Sequence, residues 1–110
     1  MVQNEHREFP RVPVSGTVRT WEWNRVSQAQ AVEISGGGMF VKTREVLPEG
    51  THLTVRLEVP GKGGLTVLGQ VVRTVKGGVL AAAGMGIRFL DLLPSQRRLI
   101  LDFVESRQAA

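Results

Sequence analysis

Two short runs in this chain hold the residues best placed to do chemistry. The first is "REFPR", in which Arg7 and Arg11 stand four residues apart with Pro10 between them. The proline pushes Phe9 towards extended backbone, so the pair lies on an extended or turning segment and does not share a helix face. Guanidinium forks bind phosphate and guanine edges bidentately, where an ammonium offers only a point charge. Two readings follow from the residues alone: a solvated basic tail, or a clamp that wraps an anionic ligand. The second run is Glu33-Ile34-Ser35-Gly36-Gly37-Gly38, a carboxylate and a hydroxyl followed by three glycines. It reads as a linker, a tight turn or half of a binding site.

Other chemistry is poorly supported. His6 and His52 have no Cys, Asp or His at metal-ligand spacing. Ser35 lacks the G-x-S-x-G frame of a nucleophile elbow. The glycine run is not followed by Gly-Lys-Ser/Thr, so it is no phosphate-binding P-loop. Asp91 and Asp102 form no evident acid–base pair. We therefore expect no catalytic residues, no metal and no cofactor. Trp21 and Trp23 share one face of an expected strand. They read as core or barrel-mouth residues in preference to a stacking platform for nucleic acid.

The elements that must position these groups follow from periodicity. "VPVSGTVRTWEW" reads as one strand to about Trp23, "NR" as a turn and "VSQAQAVEI" as the partner strand. "MFVKT" is a short strand. "LPEG" is a type I or II turn, with Pro48 fixing φ and Gly50 free to take positive φ. "THLTVRLEV" alternates strictly, with Leu53, Val55, Leu57 and Val59 on one face. "LTVLGQVVRTV" is a further strand, with Gly69 as a bulge candidate. "VLAAAGMGIRFLDL" is the last. "PSQRRLILDFVESRQ" then carries Leu99, Ile100, Phe103 and Val104 as one helical stripe, with Pro94 at the first helical position. About six short antiparallel strands and one helix suggest a small barrel or sandwich whose helix covers an opening or an edge.

Composition sets the outer bounds. The 110 residues are 42% hydrophobic and 22% charged, ordinary values for one globular domain. The formal net charge is +4, and arginine supplies most of the positive side. Without cysteine there are no disulfides or thiolate metal sites. No apolar run reaches the roughly 18–20 residues that span a bilayer. The polar start, "MVQNEHREFP", has no signal-peptide core. The expectation is a cytoplasmic protein without membrane insertion.

Taken together, "REFPRVPV", "EISGGGMFV" and "GMGIRF" resemble the PilZ domain family. That family carries R-x-x-x-R before its first strand and D/N-x-S-x-x-G after its second. Arg7 and Arg11 complete the first motif. Ser35 and Gly38 match the second, and Glu33 stands where the family has Asp or Asn. The resemblance spans roughly Arg7 to Val104. It implies a mainly β fold, a six-stranded antiparallel barrel with a C-terminal α-helix. Residues 1–11 would form a flexible arm bearing the first motif, and residues 12–107 the barrel and helix. It also implies a non-catalytic receptor for the bacterial second messenger cyclic di-GMP. By the same resemblance, Arg7 and Arg11 would clamp phosphates and guanine edges. Ser35 would hydrogen-bond the ligand, Gly38 would admit a sharp turn and close approach, and Glu33 would accept from guanine N1–H and N2–H. Glutamate places its carboxylate roughly 1.5 Å, about one C–C bond, further out than aspartate. Signalling would run through an unidentified protein partner, with motility, pilus or exopolysaccharide machinery as candidates. No DNA or RNA is expected as a partner. The alternative is a PilZ-fold interaction adaptor that no longer binds cyclic di-GMP.

Overall fold

The computed structural model describes residues 9–78 and 82–109, so Arg7, His6 and the rest of the arm before Phe9 lie outside it. Its elements are β1 (Arg11–Pro13), β2 (Thr17–Glu22), β3 (Arg25–Ser35), β4 (Gly38–Lys42), β5 (His52–Val59), β6 (Gly63–Val75), β7 (Gly84–Leu90) and α1 (Pro94–Gln108). All pairings are antiparallel. The order runs β1-β3-β2-β5-β6-β7-β4, and β4 returns to pair with β3. Strands β2 to β7 thus close a six-stranded barrel. The short β1 is an extra strand laid against residues 33–35 of β3.

Period-2 alternation builds the interior. Leu53, Val55, Leu57 and Val59 of β5 are all buried, as the sequence predicts, and Val55 and Leu57 face Val67 and Leu65 of β6. Val18, Ala29, Ile34, Met39, Val41, Val71, Met85, Ile87 and Phe89 line the remaining wall. From α1, Ile100, Phe103 and Val104 are buried with almost no accessible surface. The helix packs on β1 and β3. Leu93 offers no side-chain cap. Instead Gln96 Oε1 accepts from Leu93 N–H at 3.0 Å, while its amide donates to Thr66 O at 3.0 Å. One glutamine therefore caps the helix and ties it to β6.

Four local expectations are corrected. The first strand is broken: Val14 to Gly16 separate β1 from β2, and Gly16 adopts φ 135°. Pro48 occupies the first position of its turn, because Thr51 N–H donates to its carbonyl at 3.1 Å; Gly50 takes the positive φ, 92°. Gly69 is not a bulge. It sits in register opposite Phe89 and leaves room for the Ile87 side chain. The bulge of β6 falls at Val72, where the register shifts between Val71 and Arg73. Finally, Trp21 and Trp23 do not share a strand face in the core. Trp21 is half-buried on the outer face of β2, and Trp23 is 93% exposed in the two-residue β2–β3 turn, at φ 59°.

Candidate ligand cleft

A cleft of about 680 Å³ lies on the outer barrel surface where β1, β3, β4, β7 and the end of β6 meet. Its volume falls in the range of roughly 300–1,000 Å³ typical of small-ligand sites. It gathers Arg11, Glu33, Ser35 and Gly38, the predicted site residues within the described part of the chain. Phe9, Phe40, Arg73 and Arg88 line it as well, and none of these four stood out as a site residue in the sequence.

Two β-bulges explain why charged residues face this cleft. Along β3, Ala29 is buried, and plain alternation would send Ala31 and Glu33 inward with it. The register shifts between Ala31 and Glu33, leaving Val32 as the extra residue. Glu33 therefore turns outward. The shift at Val72 does the same for Arg73, which alternation would aim inward alongside Val71. A bulge re-aims side chains in this way, and bulges are over-represented beside functional sites. The result is one row straight across four strands: Glu33 opposite Phe40, Phe40 opposite Gly86, Gly86 opposite Arg73. The Arg73 guanidinium stands over the Phe40 ring at 5.2 Å from its centroid. Without a side chain at Gly86, this pair can lie flat across β7.

Arg11 Nη1 donates to Glu33 Oε1 at 3.1 Å. Arg11 pairs with Ser35 across β1–β3, so Glu33 is its diagonal neighbour, within reach of a long side chain. The groups are 41% and 35% exposed, and such a surface pair contributes only about 0.2–1 kcal/mol. On the other rim, Arg88 Nη2 donates to Gln70 Oε1 at 2.7 Å. Arg11, Arg73 and Arg88 thus converge on one cleft with a single carboxylate among them, an arrangement suited to an anion with planar groups.

The glycine run is neither a linker nor a loose turn. Ser35 is buried, and its Oγ accepts from Gly37 N–H at 3.1 Å and from Gly38 N–H at 3.2 Å. Its own hydroxyl donates to Gly38 O at 3.4 Å, a weak contact. Each glycine answers a separate steric demand. A Cβ on Gly38 would strike the Ile87 carbonyl oxygen, so the β4–β7 seam needs this glycine. A Cβ on Gly36 would lie 2.9 Å from Leu101 Cδ2, and one on Gly37 would lie 2.9 Å from the Phe9 ring. Gly36 and Gly37 do more than ease a turn: they form a flat seat for Phe9, the middle residue between the two motif arginines. Phe9 and Arg11 are thereby anchored, Phe9 on the glycines and Arg11 within β1.

His52 is exposed at the start of β5, away from this cleft. Among the described residues, no group of three or more His, Cys, Asp or Glu side chains could hold a metal ion. None of their helices is long and apolar enough to cross a membrane.

Sequence comparison matches the PilZ domain family over residues 5–106. This chain belongs to the PilZ domain family. Among solved structures, its barrel is similar to the Bacillus subtilis inhibitor of motility MotI/DgrA, with a TM-score of 0.82 at 18% identity. That match covers 94% of this PilZ chain and 51% of MotI/DgrA, so the chain spans about half the length of that relative. It is similar to the PilZ domain of Escherichia coli YcgR, solved with c-di-GMP, at TM-score 0.73 and 18% identity, covering 94% and 92% of the two chains. The K. pneumonia MrkH–c-di-GMP complex matches at TM-score 0.72 and 15% identity, covering 94% and 55%. At these identities the likeness is one of fold. No curated protein matches the PilZ chain by sequence.

Proposed function

We propose that this PilZ domain is a non-catalytic receptor for cyclic di-GMP that signals through a protein partner. The observation that carries the proposal is the convergence of Arg11, Arg73 and Arg88 with Phe9 and Phe40 on one cleft. Arginine is the preferred bidentate partner of both phosphate and guanine O6/N7, and aromatic and guanidinium planes stack on purines. Arg11 and Arg7, the latter outside the described residues, would clamp phosphates and guanine edges. Glu33 would accept from guanine N1–H and N2–H, and Ser35 Oγ–H would turn from Gly38 O to the ligand. Family membership supports the same ligand, as do the YcgR and MrkH complexes with c-di-GMP. The MotI/DgrA relative is an inhibitor of motility, which makes motility machinery a candidate partner, with pilus or exopolysaccharide control as the others. A cytoplasmic location follows from the ligand. Titration calorimetry with cyclic di-GMP on wild type and Arg11→Ala tests the reading.

A second reading has one observation in its favour. Arg11 is already satisfied inside the chain by Glu33, a pairing that would occupy the ligand-facing guanidinium of an adaptor that has given up the ligand. Partner binding that is indifferent to both cyclic di-GMP and Arg7→Ala would favour this alternative.

A further inference from the structure

Across the barrel from the cleft, the wall formed by β2, β5 and β6 carries an outward apolar row. Val26 pairs with Trp21, Trp21 with Thr54, Thr54 with Leu68 and Leu68 with Leu90, so five side chains from five strands line up in register. Val26 is 58% exposed and Leu68 52%. Trp21, Trp23, His52, Thr54, Leu68 and Leu90 border a groove of about 240 Å³. Such contiguous exposure of large apolar groups marks interaction surfaces.

Two independent features set this row apart from ordinary barrel surface. The first is Trp23. Tight hairpin turns with positive φ at the first central position favour Asn, Asp or Gly, and a bulky side chain there is disfavoured. Trp23 holds φ 59° while gaining almost no burial. Neither local backbone preference nor packing in the free domain accounts for a tryptophan here. The second is charge. In the next outward row, Arg19 and Arg56 stand directly opposite each other on β2 and β5. Like charges in that relation repel. Arg56 is offset by Glu58 at 3.3 Å, but Arg19 has no carboxylate partner among the described ion pairs. An arginine pair beside an apolar groove is complementary to carboxylates. It also disfavours a second copy of this chain, which would bring arginines to arginines. A nucleic acid would need a longer basic track than Arg19 and Arg56 provide, and Arg56 is already paired with Glu58.

We propose that the β2–β5–β6 wall is a docking surface for an acidic protein segment. An apolar side chain of that segment fills the groove between Trp21, Trp23 and Leu68, and its carboxylates pair with Arg19 and Arg56. Trp and Arg dominate the energetic centres of such interfaces. The surface is separate from the ligand cleft, so partner and ligand can be held together.

The test is selection of random dodecapeptides displayed on phage against the immobilised protein, followed by synthesis of the most enriched sequence. The expected result is peptides with an excess of Asp and Glu around an aliphatic or aromatic anchor. The synthetic peptide should lose about tenfold or more in affinity on Trp23→Gly and on Leu68→Ser. It should lose severalfold, with a flatter salt dependence, on Arg19→Ser. Trp23→Gly should leave the melting temperature unchanged or raised, because glycine accepts the positive φ, and should leave cyclic di-GMP titrations unaltered. No enrichment, or enrichment without acidic bias, would overturn the proposal. So would a marked loss of stability in Trp23→Gly, which would make the indole structural. Self-association of wild type abolished by Trp23→Gly in sedimentation equilibrium would assign the surface to a second copy. Oligo-dT binding lost in the same variant would assign it to nucleic acid.

Discussion

Glu33→Asp changes two interactions at once; one change raises ligand affinity and the other leaves it unharmed. The substitution withdraws the carboxylate by roughly 1.5 Å, about one C–C bond. The Arg11–Glu33 contact is 3.1 Å, so the shorter side chain would fall beyond direct pairing distance. The lost ion pair is surface-exposed and is therefore worth only about 0.2–1 kcal/mol. Folding stability should drop by that much, a fall of a few degrees at most in a domain of this size. The same energy no longer has to be given up when a ligand takes Arg11, which corresponds to about 1.4- to 5-fold tighter binding. The carboxylate also recovers the length that the resemblance gives the family's second motif, so the proposed role as a guanine acceptor would be kept. Titration calorimetry of wild type and Glu33→Asp with cyclic di-GMP, at low and moderate salt, reads the effect. The gain should shrink as salt screens the wild-type pair. Weaker binding by Glu33→Asp would refute the reasoning, because it would mean that the longer side chain reaches its acceptor position and that the internal pair does not compete with the ligand.

Three further outcomes follow from the same geometry. Arg11→Ala should weaken cyclic di-GMP binding by about 10- to 150-fold, from the loss of charge-assisted hydrogen bonds worth roughly 1.5–3 kcal/mol, while folding stability falls by only about 0.2–1 kcal/mol, the worth of the lost Glu33 pair. Gly38→Ala should destabilise the fold by about 1–3 kcal/mol in urea titration, because the new methyl meets the Ile87 carbonyl oxygen in the β4–β7 seam. Phe103→Ala should cost about 3–5 kcal/mol by the same measurement, since Phe103 is among the largest fully buried side chains and joins α1 to the core.

The parts of this structure that were legible in the sequence are those set by short-range periodicity. The alternation of β5 named its buried face correctly, and of the helical stripe Leu99, Ile100, Phe103 and Val104 the last three are fully buried and Leu99 partly so. The two motifs located one end of the cleft, at Arg11, Glu33, Ser35 and Gly38. The other end was not legible, and the bulges are the physical reason. Plain alternation sends Arg73 inward, and only the extra residue at Val72 turns it out towards Phe40. Arg88, between buried Ile87 and Phe89, reads as outward-facing from alternation alone. That it borders the motif residues depends on β7 lying between β6 and β4, which is a matter of topology. The glycines mislead for a similar reason. In sequence they suggest flexibility, whereas in the barrel Gly36 and Gly37 are fixed by the ring of Phe9, a contact made across the chain entry. Trp23 escaped prediction because a tryptophan at the tip of a hairpin runs against both turn preference and burial.

The central claim is that the arginine-lined cleft is a working nucleotide receptor site. Its most direct test is calorimetric titration of the folded wild-type domain with cyclic di-GMP, alongside Arg11→Ala. The account predicts saturable heat at ligand concentrations of roughly tens of micromolar or below, lost in the variant. A flat titration from folded wild-type protein would contradict it and leave the Arg11–Glu33 pair as the mark of a barrel that no longer binds the nucleotide.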